Sequence, residues 1–170
     1  DPPHARRELR RMLEVLRPLA AGVRWVRPES VHLTLKFIGE LPEADLPAAL
    51  ECLGAAAAAS PPFGITVSGL SGFPRRGVPR VIHVGVEEPT GALARLQRAV
   101  EDGIKDALGV AREKRRFTPH VTLGRVRNRR ACPRMEAICA AVQDQHVGCV
   151  QVRSIALIKS ELRPEGAVYT

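Results

Sequence analysis

The chain has 170 residues, 45% of them hydrophobic, which suffices for one packed domain or two small lobes sharing a core. A net charge of +8 and a pI of about 10.2 point to an anionic partner, nucleic acid first, although the arginine-rich, alanine-rich composition can produce part of that basicity without one. Aromatic residues at 4% argue against a broad base-stacking platform. No stretch reads as a secretory leader or a membrane span, and four cysteines without a C-x-x-C pair suit a reduced cytoplasm.

Residues 5–17 predict an amphipathic helix, with Leu9, Met12, Leu13 and Leu16 at i, i+3, i+4 and i+7. Pro28 breaks that run, and Val31–Ile38 predicts a strand with Val31, Leu33, Leu35 and Phe37 facing a core. A second helix is expected over 43–59, carrying Leu46, Leu50 and Leu53. Strands follow at Gly64–Leu70 and Arg80–Val86, around a polar Gly/Pro-rich surface loop from Ser71 to Pro79. A third helix begins near Thr90 with Leu93, Leu96, Val100, Ile104 and Ala107 on one face, and Gly109 suits its end. The basic run Arg112–Arg116 leads into a strand at His120, then a weaker helix over 133–144. Val150–Ser160 reads as a strand whose apolar phase slips near Arg153, and Val168-Tyr169-Thr170 begins another. No composition shift marks a linker. Strands and helices interleave as β-α-β-β-α-β, roughly twice over, which predicts an α+β fold with antiparallel sheets in two halves facing a cleft.

Within that pattern, two stretches match: His32-Leu33-Thr34-Leu35 and His120-Val121-Thr122-Leu123. From five His and six Thr, roughly 0.2 His-x-Thr triplets are expected by chance, so two of them half a chain apart are a signal. Side chains alternate along a strand, so each His shares a face with its Thr while the apolar partners face inward. Two imidazoles can serve as base and acid together near neutral pH. Two hydroxyls can hold the oxygens of an anion between them, and a phosphodiester suits all four groups. No acidic cluster accompanies the motifs to hold Mg²⁺, and no Walker or Rossmann glycine pattern occurs, so neither metal nor cofactor is expected. Cys132, Cys139, His146 and Cys149 can be drawn as a zinc set, but their spacing matches no familiar pattern, and they read as buried or incidental thiols.

These motifs and their surroundings resemble the two-histidine (2H) phosphoesterases. Within that superfamily the similarity is to the RNA 2′,3′-cyclic phosphodiesterases historically called 2′-5′ RNA ligases. It runs through Arg24–Glu40, Gly72–Pro74, Arg80–Val86, Phe117–Leu123, Ser160–Leu162 and Gly166–Tyr169, so it covers nearly the whole chain as one domain, 1–170. The resemblance implies a bilobal α+β fold with two antiparallel sheets related by a pseudo-twofold axis. It also implies metal-independent hydrolysis of an RNA-terminal 2′,3′-cyclic phosphate to a 2′-phosphate. Carried over, His32 is the proton donor, His120 the proton acceptor, and Thr34 and Thr122 bind phosphate. Arg125 occupies the place of a family arginine, and Tyr169 can reach the substrate. The implied partner is RNA, tRNA fragments among the candidates, acted on by a cytoplasmic monomer with no membrane association. Family members usually begin with a short strand and continue past the last motif, so both ends read as clipped.

Three points stay open in the sequence. Strict alternation puts Arg125 on the Val121/Leu123 face unless the strand ends or bulges at Gly124. His83 alternates with Ile82 and Val84, which suits an ordinary strand histidine better than a cleft-lining one. Trp25 either stacks on a base or packs near Pro28. The competing functions are 2′-5′ ligation, cleavage of another cyclic or 2′-5′-linked nucleotide, or an RNA-binding module without turnover.

Overall fold

The computed structural model describes residues 2–142, 146–163 and 166–169. In chain order the elements are α1 (Pro2–Leu19), β1 (Val23–Trp25), α2 (Leu46–Ala58), β2 (Phe63–Phe73), β3 (Val81–Glu87), α3 (Ala92–Leu108), β4 (His120–Val126), α4 (Met135–Ala140), β5 (His146–Val152), β6 (Ser160–Arg163) and β7 (Gly166–Tyr169). The fold is α+β, as its interleaved periodicities predict. It divides into two compact units, one made of Asp1–Leu33, Ile65–Glu87 and Pro119–Val150, the other of Thr34–Gly64, Glu88–Thr118 and Gln151–Thr170.

The first unit is built on a five-stranded sheet in the order β1-β4-β3-β2-β5, in which β1, β4, β3 and β2 pair antiparallel in turn. Its apolar residues follow the two periods. Leu9, Met12, Leu13 and Leu16 are buried along α1, while Ile82, Val84 and Val86 are buried along β3 and Val121 and Leu123 along β4. Burying each such side chain contributes roughly 1.5–3 kcal/mol. On α4, Met135 and Ile138 are buried, and the Met135 sulfur lies 2.7 Å from where a Cβ on Gly72 of β2 would stand. The Pro79 Cβ at 2.9 Å and the Val81 carbonyl oxygen at 3.0 Å close the same space, which favours glycine at position 72.

The second unit has its own core, formed by Ala49 and Ala56 of α2 with Leu96, Val100 and Ile104 of α3. A Cβ on Gly103 would lie 3.4 Å from the Cys52 Cβ, so small residues let the two helices approach closely. Gly109 ends α3 with φ +68°, a left-handed cap that glycine adopts without a Cβ clash. The remaining sheet of this unit is the β6-β7 hairpin, with Ser160 opposite Tyr169. No helix among the described residues is long and apolar enough to cross a membrane.

Four expectations need correction. The first motif forms no continuous strand over Val31–Ile38. Only Leu33 makes an isolated antiparallel bridge, to Val121. Beyond it Leu35 and Ile38 turn into the α2–α3 core and Lys36 is buried in an ion pair, which leaves Phe37 75% exposed rather than inward-facing. On α2 the fully buried residues are Ala49 and Ala56, and of the three leucines Leu53 packs against that core while Leu46 and Leu50 are exposed. The strand expected over Val150–Ser160 stops at Val152, because Ile155 and Leu157 pack onto the second core instead. Helix α3 starts at Ala92 behind Gly91, not at Thr90, whose backbone N–H and hydroxyl donate to Glu88.

Candidate active site

The second motif lies on β4 as alternation requires. Val121 and Leu123 are buried at 5% and 0% exposure, and His120 and Thr122 are half-buried on the opposite face. Cross-strand register identifies what shares that face. Gly85 lies opposite His120, His83 opposite Thr122, and Val81 opposite Arg125. Positions 81, 83 and 85 alternate with buried Ile82, Val84 and Val86, so their partners on β4 are turned to one side together.

That alignment depends on a bulge. Pairing passes from Ile82↔Gly124 to His83↔Thr122, so Leu123 has no residue opposite it on β3. Leu123 and Gly124 are consequently both buried, and Arg125 returns, exposed, to the His120/Thr122 face. Arg125 also stands directly opposite Arg24 of β1, which places two guanidinium-bearing positions side by side beyond Thr122. Trp25 occupies the other face. It lies opposite Gly124, where a Cβ would come within 2.9 Å of its ring, and its Nε1 is buried without a hydrogen-bond partner among the described residues. Trp25 is a packing residue.

His32 reaches the same strand from the other side. A one-turn 3-10 segment, Pro28–Ser30, ends in the extended stretch that bridges to β4 through Leu33↔Val121. Antiparallel pairing sets the position before Leu33 beside the position after Val121, so His32 adjoins Thr122. The His32 Nδ1 lies 2.8 Å from the Ser30 carbonyl oxygen. A carbonyl only accepts, so Nδ1 carries the hydrogen of this contact. Thr34 is the first residue of the second unit and is half-buried. Tyr169 lies on β7 in that unit, and its side chain is outside the described residues.

A third histidine belongs to this face. His83 is 5% exposed, with its ring stacked on Phe73 at 4.3 Å and 30° and tilted against His120 at 5.0 Å and 58°. Phe73 meets His120 edge-on at 5.2 Å, which closes a triangle of rings. Burial chiefly, then the charge of His120, lower the His83 pKa to about 4; the Val84 backbone pulls upward, and Arg75 adds the smallest push downward. His83 is therefore a neutral ring beside a motif histidine. Its alternation with Ile82 and Val84 signalled the face, but which residue it meets across the strands is not written in the sequence.

The cysteines take other roles. Cys132 and Cys139 donate separately to the Pro133 and Leu70 carbonyls, and burial pushes both thiols up. Among the described residues no three His, Cys, Asp or Glu side chains are grouped to hold a metal ion.

An antiparallel α+β fold with two His-x-Thr motifs bridged along one strand is the two-histidine phosphoesterase arrangement. A sequence model of the 2′-5′ RNA ligase superfamily matches residues 1–164, and the chain belongs to that superfamily. The RNA 2′,3′-cyclic phosphodiesterase of Aeropyrum pernix is 37% identical over 163 residues, spanning 95% of this chain and 90% of its own. That of Methanothermobacter thermautotrophicus is 32% identical over 161 residues, 94% of this chain and 85% of its own. Among solved structures, a Thermus thermophilus protein matches with a TM-score of 0.81 at 32% identity, over 97% of this chain and 87% of its own. Escherichia coli LigT complexed with 3′-AMP shares the fold at a TM-score of 0.73 and 24% identity, over 98% of this chain and 87% of its own.

Proposed function

We propose that this chain, read as one domain, hydrolyses the 2′,3′-cyclic phosphate at the end of an RNA, leaving a 2′-phosphate. His120 takes a proton from water as its oxygen attacks phosphorus. The bond from phosphorus to the 3′-oxygen breaks, and His32 delivers a proton to that leaving oxygen. Thr122 donates its hydroxyl to a non-bridging oxygen as charge builds there, and Thr34, the matching hydroxyl of the first motif, is given the same task. Arg125 is assigned to the substrate as a cation at the anion-binding end of this face, and Tyr169 to a contact with the nucleotide. No step calls for a metal ion. The partner is RNA, with tRNA fragments included, and the enzyme acts as a cytoplasmic monomer.

The Leu33↔Val121 bridge carries this reading, because it brings His32 alongside Thr122 on the strand that also holds His120. The names of the relatives at 37% and 32% identity agree with it. The test is incubation with cytidine 2′,3′-cyclic phosphate in excess EDTA, with the product identified by ³¹P NMR. Formation of the 2′-phosphate is expected. A 3′-phosphate product would reverse the choice of leaving oxygen. Binding of the nucleotide without turnover would make the chain an RNA-binding module.

A further inference from the structure

The mechanism above leaves His83 without a task, although it is the most deeply buried member of the ring triangle. Backbone alternation places it. Ile82 and Val84 are fully buried in the core, which turns His83 to the other face between Ser71 of β2 and Thr122 of β4. Neither ring nitrogen makes a hydrogen bond among the described residues. Burying two polar atoms in that state is unfavourable, and a phenyl ring would fill the space against Phe73 without the penalty. What imidazole adds is a lone pair and an N–H, 5.0 Å between ring centres from His120.

His120, once it has taken the proton from water, is an imidazolium. That charge forms beside His83, with 5.0 Å between the two ring centres. A neutral His83 offers its lone pair to the new N–H, whereas a charged one would repel it. We propose that His83 is a positioning residue for His120: a neutral imidazole that fixes the acceptor ring and stabilises the imidazolium it becomes. The proposal rests on the reading of His120 as proton acceptor. The charged groups facing His83 are His120, Arg75 from the β2–β3 loop, and Arg125 farther along the same face of β4, all cationic or able to become so. With burial they keep His83 neutral throughout the range where a histidine base works.

H83F keeps the ring stack and removes both nitrogens, and H83Q restores a neutral polar group. With cytidine 2′,3′-cyclic phosphate, H83F should lower kcat about five- to tenfold, the worth of roughly one net hydrogen bond, with KM unchanged. The acid limb of its pH profile should move to lower pH, because the protonated acceptor has lost its partner. H83Q should recover most of the rate and bring the limb back. A wild-type profile in H83F, or equal losses in both variants with an unmoved limb, would overturn the proposal. Ring-¹⁵N NMR of the wild-type protein reads the same coupling without a variant: the His83 resonances should shift as His120 titrates, while His83 itself stays neutral to about pH 5. His83 signals indifferent to that titration would also overturn it. If wild-type protein fails to turn over the nucleotide but the coupling is present, the functional reading fails and the His83–His120 contact stands.

Discussion

Lys36→Met tests how the chain is fastened just after the first motif. The Lys36 and Glu101 side chains are 3% and 7% exposed, and the ammonium donates to Glu101 Oε2 at 2.6 Å and to the Ala111 carbonyl at 3.0 Å. Methionine fills a similar volume without the charge and leaves a buried carboxylate. Removing one partner of a buried pair costs about 3–5 kcal/mol, since the remaining ion loses water and gains nothing for it. Glu101 keeps two neutral donors, the Gln97 amide and the Glu113 backbone N–H, each at 3.3 Å, which sets the expectation at the lower end, about 3 kcal/mol. With a urea slope of about 2 kcal/mol/M, that lowers the unfolding midpoint by about 1.5 M. The double variant K36M/E101L carries no stranded charge and should recover a large part of the loss. The reasoning is wrong if K36M moves the midpoint by less than about 0.5 M, or if the double variant is as unstable as the single one.

The two histidines should divide the work, so that H32A and H120A each lose at least about 10²-fold in kcat/KM and the double variant is little worse than either. An aryl phosphodiester with a good leaving group should rescue H32A alone, and rescue of H120A instead would exchange the two roles. T122A, which removes a donor to the developing charge, should lose about 10²-fold in kcat, and T34A a similar amount; wild-type turnover in the pair of variants would take both hydroxyls off the phosphate. Stability should also carry the mark of His83. Its pKa is about 4 folded and near 6.5 unfolded, so the unfolded chain takes up the proton first as pH falls. The native state should therefore lose up to about 3 kcal/mol between pH 6.5 and pH 4 from this group, a loss absent in H83F, and parallel urea midpoints for the two proteins across that window would contradict it.

Much of the fold was legible because periodicity survives into packing. The α1 stripe of Leu9, Met12, Leu13 and Leu16 and the α3 stripe of Leu93, Leu96, Val100 and Ile104 are buried as their spacing requires. Failures occur where long-range contacts override local pattern. In Val31–Ile38 the alternation reads as one strand, yet Lys36, which sits on the motif-His face by count, is drawn into a buried pair with Glu101 65 positions away. Leu46 and Leu50 outrank the alanines of α2 in hydrophobicity, but close approach to α3 at Gly103 favours the small side chains on the inside. Neither choice can be read from the segment itself, because the deciding partner lies elsewhere in the chain.

The site shows the same division between what a strand fixes and what a sheet fixes. Period two is enough to turn His120 and Thr122 away from Val121 and Leu123, and to turn His83 away from Ile82 and Val84. It does not say which residue on one strand lies across from which on the next, and that register assembles the face. One residue with no partner on β3, Leu123, decides the position of Arg125: without the bulge Arg125 would fall on the Val121/Leu123 face, a poor place for a guanidinium. Gly124 makes the bulge tolerable, since any larger residue would meet Val23 and Trp25 at 2.6 Å and 2.9 Å. A glycine one place before an arginine thus accomplishes what alternation alone forbids. Strand register returns Arg125 to the His120/Thr122 face, with Trp25 packed on the far side of the sheet.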